Sequence, residues 1–285
     1  MEIGIGLAAV AALMTNLAAL LKHRGCQHAQ PVCISRPLGS LRGLANSPWF
    51  AAGWSLAALA WLVHVAALSM APISLVQAVL AGGAVTLAVL SQRIFGERVE
   101  RRQWLALALG GAGLALLAGT LPHFQGAHAG FSLAAIAGFE GGLVLLAAGI
   151  TLAHRSKRLT EQRGVLLAVI AGLLFALAGI AIKALTGGAG GWPIIASLIV
   201  LTVACGALAQ YTAVAALQSG GAIETIGLMG IIANATQIIA GILVFGDPLS
   251  PSPLGIALQI AAFTMVCFSA LLLPSRIAPS VLARA

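Results

Sequence analysis

Long apolar runs interrupted by short polar stretches dominate this chain. Runs of roughly 17 to 25 residues are long enough to cross the hydrocarbon core of a bilayer as helices. On that basis the pattern predicts nine spans: Ile3 to Leu21, Trp49 to Met70, Ile73 to Ser91, Trp104 to Leu121, Phe131 to Leu152, Val165 to Ile182, Trp192 to Leu217, Ile223 to Phe245 and Leu254 to Leu273. Only Ala71-Pro72 separates the second from the third, and Pro72 suits the first turn of a new helix, where its missing N–H is not needed. Met1-Glu2 offers no basic leader and Lys22, His23 and Arg24 follow the first run at once, so that run is expected to be a retained helix and not a signal peptide.

The chain also repeats itself. His64 precedes Gln77 by thirteen residues across Ala71-Pro72, and Tyr211 precedes Glu224 by thirteen across Gly220-Gly221. Phe95-Gly96-Glu97-Arg98-Val99 answers to Phe245-Gly246-Asp247-Pro248-Leu249, and each is followed by one more helix. The first predicted helix ends at Lys22 and its counterpart, the sixth, at Lys183. Five helices in residues 1–160 is an odd number, so the four in residues 161–285 enter the membrane in the opposite sense. The expected fold is an all-α integral membrane protein of nine transmembrane helices in inverted five-plus-four repeats, forming one transmembrane domain on the plan of secondary transporters.

Charge supplies the orientation. Of 15 lysines and arginines, all but Lys183 fall into four clusters: Lys22 to Arg42, Arg93 to Arg102, Arg155 to Arg163, and Arg276 with Arg284. Cytoplasmic loops retain basic residues, so the clusters are expected inside, with the amino terminus outside and the carboxyl terminus in the cytoplasm. Composition agrees: 60% hydrophobic and 8% charged residues, with a mean hydropathy of +1.03, leave too little polar surface for a soluble domain. The net charge of +8 is therefore read as dispersed boundary charge facing membrane lipid in a multi-pass plasma (inner) membrane protein, with no nucleic-acid partner. Cys26, Cys33, Cys205 and Cys267 show no disulfide framework. His23, Cys26, His28 and Cys33 match no zinc spacing, and no cofactor is expected.

At these residues the chain resembles the drug/metabolite transporter superfamily over nearly its whole length, in particular its EamA-like and NIPA-like members, the latter associated with magnesium transport. The resemblance rests on Leu20-Leu21-Lys22, Trp49 and Gly53, Ala71-Pro72-Ile73-Ser74-Leu75-Val76, the Phe95-Gly96-Glu97-Arg98 junction, Lys183 and Gln210-Tyr211. It implies nine helices, an outside amino terminus and alternating-access transport. Where the magnesium branch carries an acidic residue in its second helix this chain has Trp61, and the asparagine nearby becomes His64.

An ionisable group within a bilayer costs at least about 2.5 to 3.5 kcal/mol, so each such residue calls for a partner, a cavity or a function. Glu140, within Gly138-Phe139-Glu140-Gly141-Gly142, is the candidate for proton coupling or cation binding; the alternative is a structural glutamate between helices. His64 with Gln77 forms a candidate outer site, and Gln210, Tyr211 and Glu224 a candidate inner one; Glu224 also suits the positive end of a helix. Lys183 either snorkels to water or attracts an anionic group or Glu140. Asn16 and Thr15, with Asn234, Thr236 and Gln237, either line a hydrated path or bind helices together. Gly110, Gly111 and Gly113 offer a small-residue face for a homodimer.

No nucleophile elbow or phosphate loop is present, so an enzyme is not expected. The chain reads as a secondary transporter of a small metabolite or cation. A divalent-cation permease, a flippase for lipid-linked molecules, a channel, and an enzyme built on Tyr211 and Glu224 are the alternatives.

Overall fold

Backbone in lipid must satisfy its own hydrogen bonds, which a helix does within a single segment. The computed structural model describes residues 2–27, 43–44, 46–94, 96, 99–120, 131–154, 163–187, 191–247 and 249–272, and among them no residue lies in a strand. The helices are α1 (Glu2–Gln27), α2 (Pro48–Met70), α3 (Ile73–Gly82), α4 (Ala84–Ile94), α5 (Arg101–Thr120), α6 (Leu133–His154), α7 (Arg163–Thr186), α8 (Trp192–Ser219), α9 (Ala222–Leu243) and α10 (Pro253–Leu272). Among the described residues, seven stretches are long and apolar enough to cross a membrane: α1, α2, α3 with α4, α6, α7, α8 and α9. The nine spans read from the sequence add α5 and α10, which pack on each other.

Two sequence boundaries shift. The first helix runs past its apolar stretch, Ile3 to Leu21, as far as Gln27, which draws Lys22, His23 and Cys26 into the bundle. The third span is interrupted for one residue at Gly83, which keeps helical dihedral angles, φ −65° and ψ −10°. Its carbonyl accepts the amide of Thr86 at 2.9 Å, the hydroxyl of Thr86 at 2.5 Å and Nδ2 of Asn16 at 2.7 Å. Side chains that insert into the helical ladder in this way interrupt a helix. A Cβ at Gly83 would lie 2.8 Å from Cβ of Ala12, so glycine is what lets α1 approach the break.

The closest helix pairs are α1 with α2 and α7 with α8, followed by α5 with α10 and α7 with α9. Small residues set several of these contacts. A Cβ at Gly53 would meet the Lys22 amide nitrogen at 2.9 Å, and one at Gly172 the Met229 carbonyl oxygen at 2.9 Å. Two large apolar clusters pack the bundle. One, with Leu20, Leu87, Leu107, Leu217 and Ile226, surrounds the α8–α9 junction. The other, with Leu68, Ile73, Ile180, Val244 and Phe245, surrounds the α2–α3 junction. Gly96 and Gly246, at matching places in the two Phe-Gly motifs, both have positive φ, 67° and 66°.

The dimer face expected at Gly110, Gly111 and Gly113 is used within the chain. Cβ atoms there would meet Ser269 Oγ at 2.8 Å, Val85 Cγ2 at 3.5 Å and the Ala262 carbonyl oxygen at 2.8 Å. Those glycines bring α5 onto α10 and beneath α4, and present no open surface to a second copy.

Candidate functional site: a polar-lined cavity in the bundle

A cavity of about 500 Å³ lies among α1, α2, α3, α4, α7, α8 and α9. It brings together five residues singled out from the sequence: Asn16, His64, Gln77, Gln210 and Asn234. Thr15 and Gln237, read as midplane polar residues, line it as well. Thus the expected outer and inner sites contribute to one space, which the discontinuous α3–α4 borders.

Several polar groups in the wall bond across helices. Nε2 of Gln77 donates to Oε1 of Gln237 at 2.8 Å and ties α3 to α9. The amide of Gln237 occupies the place where a Cβ of residue 179 would stand, so Gly179 makes this bridge possible. Asn16 also donates to Oγ1 of Thr86 at 3.2 Å, joining α1 to α4. Three buried polar atoms in the wall have no hydrogen-bond partner among the described residues: Nδ1 of His64, Oε1 of Gln77 and Oγ1 of Thr202. Each of these atoms is closed off from open space, so none of them presents itself to the cavity.

The sequence reading missed Lys22 and Thr202 as lining residues. By charge pattern Lys22 is a boundary residue, but in the extended α1 it is buried, lines the cavity and donates from Nζ to Oε1 of Gln210 at 3.1 Å. The available signal was the match between Lys22 and Lys183 in the repeat. Among the described residues no aspartate or glutamate lines the cavity.

Four candidates lie elsewhere. Glu140 on α6 is buried at 8% exposure, and its Oε1 has no hydrogen-bond partner among the described residues, but α6 packs on α7 outside the cavity wall. Burial of a single carboxylate was legible in the sequence; which side of α7 it occupies was not. Tyr211 and Glu224 also lie outside the cavity, so of the expected inner trio only Gln210 enters it. Glu224 stands in the first turn of α9, where the helix dipole favours its charge.

Lys183 neither snorkels nor reaches Glu140. It is 3% exposed, and Nζ donates to the carbonyls of Leu68 at 2.9 Å and Ala71 at 3.0 Å. A helix end leaves its last carbonyls without partners, and Pro72 brings no N–H to the turn. Opposite, Oδ2 of Asp247 accepts the amide of Ser74 at 3.0 Å and its hydroxyl at 2.5 Å. A cation therefore closes the C-terminus of α2 and an anion the N-terminus of α3, each matching the sign of the helix dipole it faces. Asp247, expected only as an outer-face repeat of Glu97, is the residue that sequence reasoning undervalued.

Among the described residues no group of three or more His, Cys, Asp or Glu side chains is placed to hold a metal ion. His28 and Cys33 of the loop set lie outside the described residues, as do Glu97 and Arg98 of the first Phe-Gly motif. Cys26 and Cys205 are free thiols.

Helices of this length and apolarity packed around an internal cavity define an all-α, multi-pass membrane protein. Comparison with protein-family models, with curated proteins and with solved structures yields no match.

Proposed function

We propose that the protein is a secondary transporter that carries a small metabolite through the bundle by alternating access. The observation that carries this reading is the cavity itself, enclosed by seven helices and lined by Asn16, His64, Gln210 and Asn234 among apolar side chains. Secondary transporters hold a substrate near the bilayer midplane, at the interface of their repeats.

The finer architecture is part of the proposal. The nine spans comprise the seven apolar stretches together with α5 and α10. The inverted repeat is supported by corresponding pairs, α1–α2 with α7–α8, and by the two positive-φ glycines in matching motifs. The drug/metabolite transporter resemblance has the same plan. An outside amino terminus is supported by Arg24, stacked 4.5 Å above the ring of Trp49 at one end of α1, while Lys183 and Asp247 are drawn into the α2–α3 junction at the other.

Between a small metabolite and a divalent cation, the metabolite is favoured. Divalent cations take oxygen ligands that include carboxylates, and the described wall offers none. Purified protein in liposomes, loaded with candidate acids, amines or amino acids and an internal pH dye, tests the reading. Saturable uptake stimulated by substrate on the opposite side is expected, with accompanying pH change if protons are coupled. Flux that is proportional to concentration and indifferent to trans substrate would refute alternating access in favour of a channel.

A further inference from the structure

We propose that the cavity holds an amphipathic monoanion, a single carboxylate or phosphodiester on an apolar tail, with Lys22 and Gln210 at the acidic group and the tail leaving sideways between α2 and α8. The proposal rests on the transport reading of the same cavity and adds the class of substrate.

Lys22 places a cation where water is scarce. Its side chain is 8% exposed, its Cγ packs where a Cβ of residue 53 would stand, and among the described residues its hydrogen-bond acceptor is one neutral amide oxygen. An ammonium has three donors, and a buried charge is costly unless it is both paired and hydrogen-bonded. No described carboxylate in the wall supplies the opposite charge, so an anionic ligand completes the pair. Lys22 is also the only described lysine or arginine in that wall, which matches one negative charge and leaves a second without a partner.

The remainder of the wall suits a hydrocarbon tail. Phe175, Leu217, Ile226 and Met229 line it beside the amides. Trp54 and Trp61 of α2 and Val203 of α8 line the cavity and are also 40%, 49% and 64% exposed, so the space opens between these two helices. α2 packs chiefly on α1 and α7, and α8 chiefly on α7, with nothing comparable joining α2 to α8. A Cβ at Gly206 would meet open space there. In a bilayer the surface beyond these side chains is lipid. Along α1 the cavity runs from Lys22 to Ala12, ten residues or about 15 Å at 1.5 Å per residue, so a tail of ordinary chain length fits beside it.

The two sources of such a molecule are the aqueous phase and the bilayer, and tryptophan quenching separates them. In the full-length protein with Trp49, Trp104 and Trp192 replaced by phenylalanine, Trp54 and Trp61 report on the cavity. The protein is placed in nanodiscs of neutral lipid and titrated with 12-bromododecanoate from water, with a bromine-labelled phosphatidylglycerol in the bilayer, and with a bromododecyl trimethylammonium salt as the cationic control. Saturable quenching by either anionic probe is expected, and the one that saturates identifies the source. Lys22→Gln is expected to weaken it at least about tenfold, the loss typical of a charged hydrogen bond, while Lys22→Arg retains it and shows that the fold survives. Equal quenching by the cation, or unchanged anion binding in Lys22→Gln, would overturn the assignment and leave the transport reading intact. Absence of saturable quenching by every probe would overturn it too, and the trans-stimulation assay then decides transport independently.

Discussion

Replacement of Lys183 by methionine removes the cap on α2 while keeping most of the stem's volume. Two buried carbonyls, at Leu68 and Ala71, then lose their donor. An unsatisfied buried acceptor costs about 1 to 3 kcal/mol, and loss of a cation at a helix C-terminus adds about 0.3 to 1 kcal/mol. Relief from holding an ammonium out of water offsets part of this, and Asp247 is left without the cation near it. Because methionine fills the stem's place, the packing term stays below about 1.5 kcal/mol. The net expectation is a destabilisation of about 2 to 4 kcal/mol, from carbonyl desolvation offset by ammonium release. Reversible unfolding in bicelles reads the total, and hydrogen exchange at Ala67 to Met70 shows whether the loss begins at the α2 terminus. A Lys183→Met protein as stable as the native one, with unchanged exchange there, would refute the capping argument.

Two further outcomes follow from the packing. Gly172→Ala is expected to cost about 1 to 3 kcal/mol by overpacking, because its Cβ would lie 2.8 Å from Ile232 Cβ and 2.9 Å from the Met229 oxygen; Gly149→Ala, whose Cβ meets nothing within 4 Å, should instead gain about 0.5 to 1 kcal/mol of helix propensity, and equal thermal shifts in the two variants would contradict this. Glu140→Gln is expected to leave the half-saturating substrate concentration unchanged in liposome uptake, since the carboxylate lies outside the cavity wall; a large rise would return Glu140 to the transport site.

The sequence by itself determined the solvent and the secondary structure. Apolar runs of membrane-crossing length can satisfy their backbones only as helices or closed barrels, and the length of these runs selects helices. It also flagged the residues that cannot sit in hydrocarbon without a reason, and Asn16, His64, Gln77, Gln210 and Asn234 do share one cavity. Hydropathy does not say which face of an apolar helix meets lipid and which meets protein, because both surroundings are apolar. Only the tertiary structure therefore separated Glu140, buried against α7, from the cavity, and moved Lys22 from the boundary into it. The interruption between α3 and α4 depends on Asn16, 67 residues from the Gly83 carbonyl it bonds, and the α2–α3 junction on Lys183 and on Asp247, 173 residues from Ser74. Local pattern carries no information about partners so distant along the chain; packing brings them within hydrogen-bond reach and so decides which polar residues close the structure and which face the cavity.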